Sequence, residues 1–183
     1  MDKLVHNLET VLSHYRDSFS RKKYNIESKE IDLLMKVFNI SQKKKFENKQ
    51  YWGRELGMCW QKVVIEVFKA FDKSYKTALT DERDELCDLI SGKDAIDTKY
   101  RIGSGDSGTL KKFKAYAPRL IEKNLRPVML ILRNDNLNNA IRSCEKEGWK
   151  IYRGESTFQY IQDKTSFDLK KFLLSNSNKF SLY

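Results

Sequence analysis

Asp88, Asp97 and Lys99 are the residues whose types and spacing could do chemistry. They lie in the stretch 85–100, Glu-Leu-Cys-Asp-Leu-Ile-Ser-Gly-Lys-Asp-Ala-Ile-Asp-Thr-Lys-Tyr. This reads as two short strands joined by Gly92-Lys93, because Gly at the first central position suits a type II′ hairpin turn. Register then follows by counting: Ser91 faces Asp94, Leu89 faces Ile96 and Asp88 faces Asp97. Directly opposed residues share a face, with Cβ atoms roughly 5 Å apart. Lys99, two residues beyond Asp97, emerges on that same face. Two carboxylates and a lysine therefore converge, and like charges so close are destabilising unless something offsets them. A divalent cation would do so. This patch is the candidate active site.

The elements around it must position these groups. Residues 52–71 carry Trp52, Leu56, Cys59, Trp60, Val63, Val67, Phe68 and Phe71 as a continuous apolar stripe, the strongest helix in the chain. Glu55 flanks that stripe. Such a carboxylate is ordinarily a boundary residue, but a long helix packed on the hairpin could aim it at the same metal. Upstream, Leu4, Leu8, Val11, Leu12, Tyr15 and Phe19 predict an amphipathic helix over 2–19, and Ser28 an N-cap for a second helix over 29–38. Residues 41–50 are polar and basic, either a solvated connection or a phosphate contact. Residues 74–84 read as a connector.

Downstream of the hairpin, Gly103-Ser-Gly-Asp-Ser-Gly108 spells G-x-G-x-x-G. A dinucleotide fingerprint is disfavoured, because the preceding strand carries Asp97 and Lys99 where a central parallel strand is apolar on both faces. The glycines read better as letting backbone approach a nucleic acid. A helix over 109–123 follows with Leu110, Phe113, Tyr116, Leu120 and Ile121 inward. Lys111, Lys112 and Lys114 in its first turns read either as a solvated face or as phosphate contacts. Residues 126–133 form a buried strand, Asn134-Asp-Asn136 caps a helix over 137–147 ended by Gly148, and 149–153 make a further strand. Short helices around 158–161 and 167–174 finish the chain. The fold class is α/β (α+β): a central mixed sheet, an antiparallel hairpin continued by parallel strands, flanked by helices.

Composition narrows the partners. The chain has 183 residues and a formal charge of +10, which together give one domain and suggest a polyanionic partner, nucleic acid first. No long apolar run suggests a membrane. The start has no apolar signal-peptide core, and Cys59, Cys87 and Cys144 are odd in number and far apart. A reduced cytoplasmic compartment is expected. Residues 1–50 form a helical part for dimerisation or DNA contact, 51–153 the core, and 154–183 a helical tail.

The order helix, hairpin with Asp…Asp-x-Lys, helix, strand, helix, strand resembles the core of the PD-(D/E)XK nuclease superfamily. The motif here is Asp88-Leu-Ile-Ser-Gly-Lys-Asp-Ala-Ile-Asp97-Thr-Lys99, within residues 51–153, with Cys87 where a proline is often found. Within that superfamily the chain looks like a type II restriction endonuclease. The resemblance implies that Asp88 and Asp97 hold one or two Mg²⁺ ions, with Glu55 a further ligand. Lys99 would orient or activate the attacking water and stabilise charge on the phosphorane. Double-stranded DNA would be the substrate, cut by a homodimer, with a cognate methyltransferase encoded in the same system. Arg101, Ser104, Asp106, Ser107 and Thr109 are candidates for reading bases, with Ser107 or Thr109 also suited to capping the next helix. The rival readings are a structure-directed repair or recombination nuclease, a non-catalytic basic DNA-binding protein, and a nucleotide-cofactor enzyme using the glycine loop.

Overall fold

The computed structural model describes residues 2–21, 27–103 and 107–182. Helix α1 (Asp2–Arg21) opens the chain, followed by two short helices, α2 (Leu33–Phe38) and α3 (Gln42–Glu47). The long helix α4 (Lys49–Phe71) leads into three antiparallel strands, β1 (Tyr75–Asp81), β2 (Asp84–Ser91) and β3 (Asp94–Lys99). Then α5 (Ser107–Glu122), β4 (Arg126–Ile131), α6 (Asn138–Lys146) and β5 (Lys150–Arg153) alternate, and α7 (Glu155–Thr165) and α8 (Leu169–Ser175) close the chain. The sheet has five strands in the order β1-β2-β3-β4-β5, with β3, β4 and β5 parallel, so it is mixed.

The period of two along the strands sorts side chains onto two cores. Leu89, Ile96, Val128 and Leu130 face one layer, where they pack with Leu56, Trp60 and Phe68 of α4 and with Phe158 and Ile161 of α7. Ile90, Ala95, Met129 and Ile131 face the other, against Phe113 and Leu120 of α5 and Ile141 of α6. Fully burying each large apolar side chain contributes roughly 1.5–3 kcal/mol, so this double-sided sheet dominates the stability. Trp60 is fully buried and its indole N–H donates to Leu130 O at 3.2 Å, tying α4 to β4.

The predicted hairpin register is observed near the turn, where Ser91 pairs with Asp94 and Leu89 with Ile96, but the third expected pair, Asp88 with Asp97, is not part of the ladder. Gly92 has φ +59°, as the first central position of a type II′ turn requires.

Several expectations are corrected. Residues 74–84 are not a plain connector: Tyr75–Asp81 is the edge strand β1, whose Lys and Thr side chains are mostly exposed and hide it from an apolar-pattern reading. The basic stretch 41–50 is not purely a solvated connection, since Ser41 caps α3 and Lys45 is buried. Ser28 does not cap a helix. Asp32 caps the shorter α2, accepting from Met35 N at 3.1 Å. The helix after β4 has no side-chain cap, because Asn136 instead bridges Ile102 N and Arg133 O. Ile121, expected inward, is half exposed, and so is the whole apolar face of α1. No helix among the described residues is long and apolar enough to cross a membrane.

Candidate active site

The site forms where β2 and β3 part. Their ladder ends at Leu89 and Ile96, one residue short of Asp88 and Asp97. Beyond that point the Asp88 carboxylate takes over: Oδ2 accepts Thr98 N–H and Thr98 Oγ1–H, both at 2.6 Å. Its Oδ1 accepts Gln61 Nε2–H of α4 at 2.6 Å. Asp88 thus spans from the strand split to the helix above it, and its orientation is fixed by three donors.

Asp97 and Lys99 lie on the α5 face of β3, as alternation dictates. Asp97 Oδ1 is buried and meets the Lys99 ammonium at 2.5 Å, with no other hydrogen-bond partner among the described residues. Lys99 also sits 5.2 Å from the centroid of the Phe113 ring of α5, which holds its stem. Burial pushes the Asp97 carboxyl up to about 7, with the Asp88 and Glu85 charges adding to the rise and Lys99 opposing it. The Asp88 charge thus acts on Asp97, but the expected pairing of the two on one face is not formed. The ladder stops at Leu89 and Ile96, and the Asp88 carboxylate turns to Thr98 and to Gln61 of α4, while Asp97 and Lys99 face α5.

The other predicted residues divide. Glu55 is not brought to the pair. It forms an exposed ion pair with its neighbour Arg54 at 3.0 Å, while the inward row of α4 runs Gly57, Gln61, Val64 and Phe68. Among the described residues no group of three His, Cys, Asp or Glu side chains surrounds a common point. Arg101 is not free to read a base: Nε donates to Asp135 O at 2.9 Å and Oδ2 at 3.2 Å, and its Nη2 is buried with no hydrogen-bond partner among the described residues. Ser104 and Asp106 lie outside the described residues. Ser107 and Thr109 belong to the first turn of α5. Lys111, Lys112 and Lys114 are exposed on that helix, with Lys112 acting on Asp84 and Lys114 on Cys144, so they flank the helix on two sides.

Sequence reasoning missed Gln61 and Thr98. A polar residue on the inward row of α4 was the available signal for Gln61. It also missed a buried polar network below the site. Arg133 donates to Asp32 Oδ2 and to Asp135 Oδ1, each at 2.8 Å, and to Ser28 Oγ at 3.0 Å. Tyr100 donates to Asp32, and Lys45 donates to Glu27 and to Tyr100 Oη, the last at 2.7 Å. Burial lowers the Lys45 pKa, opposed by Glu27. Because Tyr100 follows Lys99 directly, this network anchors the end of β3 to residues 27–45.

The donor set suits Mg²⁺, which takes one or two carboxylates and completes its shell with water and phosphate oxygens. Asp97 Oδ1 retains lone-pair capacity beside Lys99, and Asp88 Oδ1 has a single hydrogen-bond donor in Gln61.

Comparison with protein-family models, with curated protein sequences and with solved structures finds no match.

Proposed function

We propose that this chain is a Mg²⁺-dependent endodeoxyribonuclease with a restriction-endonuclease-like core, acting on double-stranded DNA as a type II restriction enzyme. The observation that carries the reading is the split hairpin. It sets the Asp88 charge beside Asp97 and Lys99 at one end of a mixed sheet, Asp88 held from the α4 side and the other two on the α5 side, with a buried carboxylate oxygen facing an ammonium at 2.5 Å. Two carboxylates this near each other and partly desolvated are poorly balanced alone, which is the electrostatic situation a divalent cation relieves. The order α4, β2–β3 hairpin, α5, β4, α6, β5 and the net charge of +10 support the same reading.

The chain's own groups have separable tasks. Gln61 and Thr98 hold Asp88 in one orientation. Asp88 and Asp97 would hold the ion. When bound, Mg²⁺ would polarise the phosphate and lower the pKa of water for in-line attack. Lys99, steadied over Phe113, is placed to orient that water and offset charge developing on the phosphoryl oxygens. The exposed lysines of α5 supply sequence-independent attraction to phosphate.

The deciding experiment incubates the purified chain with unmethylated phage DNA and Mg²⁺, beside Lys99→Ala and an EDTA control. Discrete bands lost with EDTA and with the variant are expected. A metal-dependent smear or nicking would assign a structure-directed nuclease instead. Equal DNA binding by both proteins without cleavage would leave a basic DNA-binding protein.

A further inference from the structure

Helix α1 belongs to neither core. Leu4, Leu8, Val11, Leu12, Tyr15 and Phe19 are 52–68% exposed, and the side-chain hydrogen bonds described for α1 stay within the helix. At 3.6 residues per turn these six fall in one stripe about 100° wide, along a 20-residue helix roughly 30 Å long. An apolar stripe of this kind is normally covered.

The stripe has an internal symmetry. Leu4 and Phe19, Leu8 and Tyr15, and Val11 and Leu12 lie at equal distances from the midpoint between Val11 and Leu12. An isologous contact demands that symmetry, since each residue must meet a partner that meets it in return. We propose that α1 pairs antiparallel with α1 of a second copy of this chain, with the twofold axis passing between Val11 and Leu12.

Charge selects the direction. Glu9 and Arg16 are both exposed and lie on the same flank of the stripe. In an antiparallel pair like flanks meet, so Glu9 of one copy lies near Arg16 of the other, twice over. In a parallel pair opposite flanks meet, and Glu9 would face Asn7 near its own level, with the cations of that flank, Lys3 and Arg21, about 9 and 18 Å away along the axis at 1.5 Å per residue. Within one copy Arg16 is held by its neighbour Asp17 at 2.8 Å in an exposed pair, which is worth little and can be exchanged. One helix pair is a small interface, so self-association in roughly the micromolar range is expected.

The proposal is independent of the hairpin's chemistry, because its readout is mass. Sedimentation equilibrium of the full chain across the micromolar range should show reversible monomer and dimer. The double variant Leu8→Glu, Leu12→Glu should be monomeric with unchanged circular dichroism and thermal midpoint, because it removes no core contact. Glu9→Arg should weaken the dimer about tenfold, and adding Arg16→Glu should restore it. A wild-type chain that is monomeric at every concentration would overturn the proposal. So would a dimer that survives Leu8→Glu, Leu12→Glu, which would point to another apolar surface such as Phe71 and Phe172. Failure of Arg16→Glu to restore association would overturn the antiparallel pairing.

Discussion

Asp88 and Thr98 are joined across the gap between β2 and β3, with one carboxylate oxygen accepting both the Thr98 backbone N–H and its hydroxyl at 2.6 Å. A side chain there replaces a missing rung of the ladder. The carboxylate proposed to hold a cation is therefore also part of what closes the sheet, and substitutions at Asp88 carry two separable costs.

Asp88→Asn keeps an acceptor and the shape but removes the charge. Cleavage should fall at least about a hundredfold, by analogy with loss of one oriented electrostatic group, while the urea midpoint moves little. Asp88→Ala strands the buried Thr98 donors and Gln61, and should cost about 2–4 kcal/mol of stability. Urea unfolding of both variants beside a cleavage assay separates the two effects.

Asp97 makes stability depend on pH in an unusual direction. Its folded pKa of about 7 lies above the ordinary carboxylate value, so between about pH 4 and 7 the folded chain binds the proton that the unfolded chain releases. Stability is therefore highest below that window and declines as pH rises through it. At about 1.4 kcal/mol per unit of pKa the loss approaches 4 kcal/mol at most. Urea midpoints in EDTA from pH 5 to 8 should fall in the wild type and flatten in Asp97→Asn. Added Mg²⁺ should raise the midpoints most at the alkaline end.

Gln61 tests the balance of charge directly. Gln61→Glu places another carboxylate against Asp88, in the position now held by an amide donor. In EDTA the thermal midpoint should drop, at a cost of about 1–3 kcal/mol. Mg²⁺ should recover more of that loss than the same concentration of Na⁺. Equal recovery by both salts would mean that simple screening acts there.

Arg133 is the centre of the network beneath the site. Arg133→Met would leave Asp32 and Asp135 without their shared cation in a buried setting, costing about 3–5 kcal/mol. Arg133→Lys should recover little, because one ammonium cannot reproduce the fork that reaches Asp32, Asp135 and Ser28 together. Chemical denaturation of both variants checks this.

Much of the frame was legible before any coordinates. The two-residue turn and the period of two placed Leu89 against Ile96, the apolar run 126–133 marked the central strand that forms over Arg126–Ile131, and the spacing along α4 marked a long helix. Strand β1 escaped because an edge strand owes its place to backbone pairing with β2, and its exposed Lys and Thr side chains carry no apolar pattern. Lys45 and Arg133 escaped because burial of a charge depends on partners from other elements, Tyr100 for Lys45 and Asp32, 101 residues away, for Arg133. Glu55 was misplaced because one turn of a helix decides whether a side chain faces the sheet, and packing of Gly57 against Tyr100 turned Gln61 inward instead.

The sequence by itself determined that two aspartates and a lysine share one end of a hairpin, because strand alternation and a tight turn are local rules. Only the tertiary structure decided that the ladder breaks at that point, that Asp88 closes the break with Thr98 and Gln61, and that Asp97 is buried enough to hold its proton near neutrality. Those features arise from α4 and α5 closing over the two faces of the sheet. Desolvation and hydrogen-bond completion depend on what arrives from distant parts of the chain, so no local pattern encodes them.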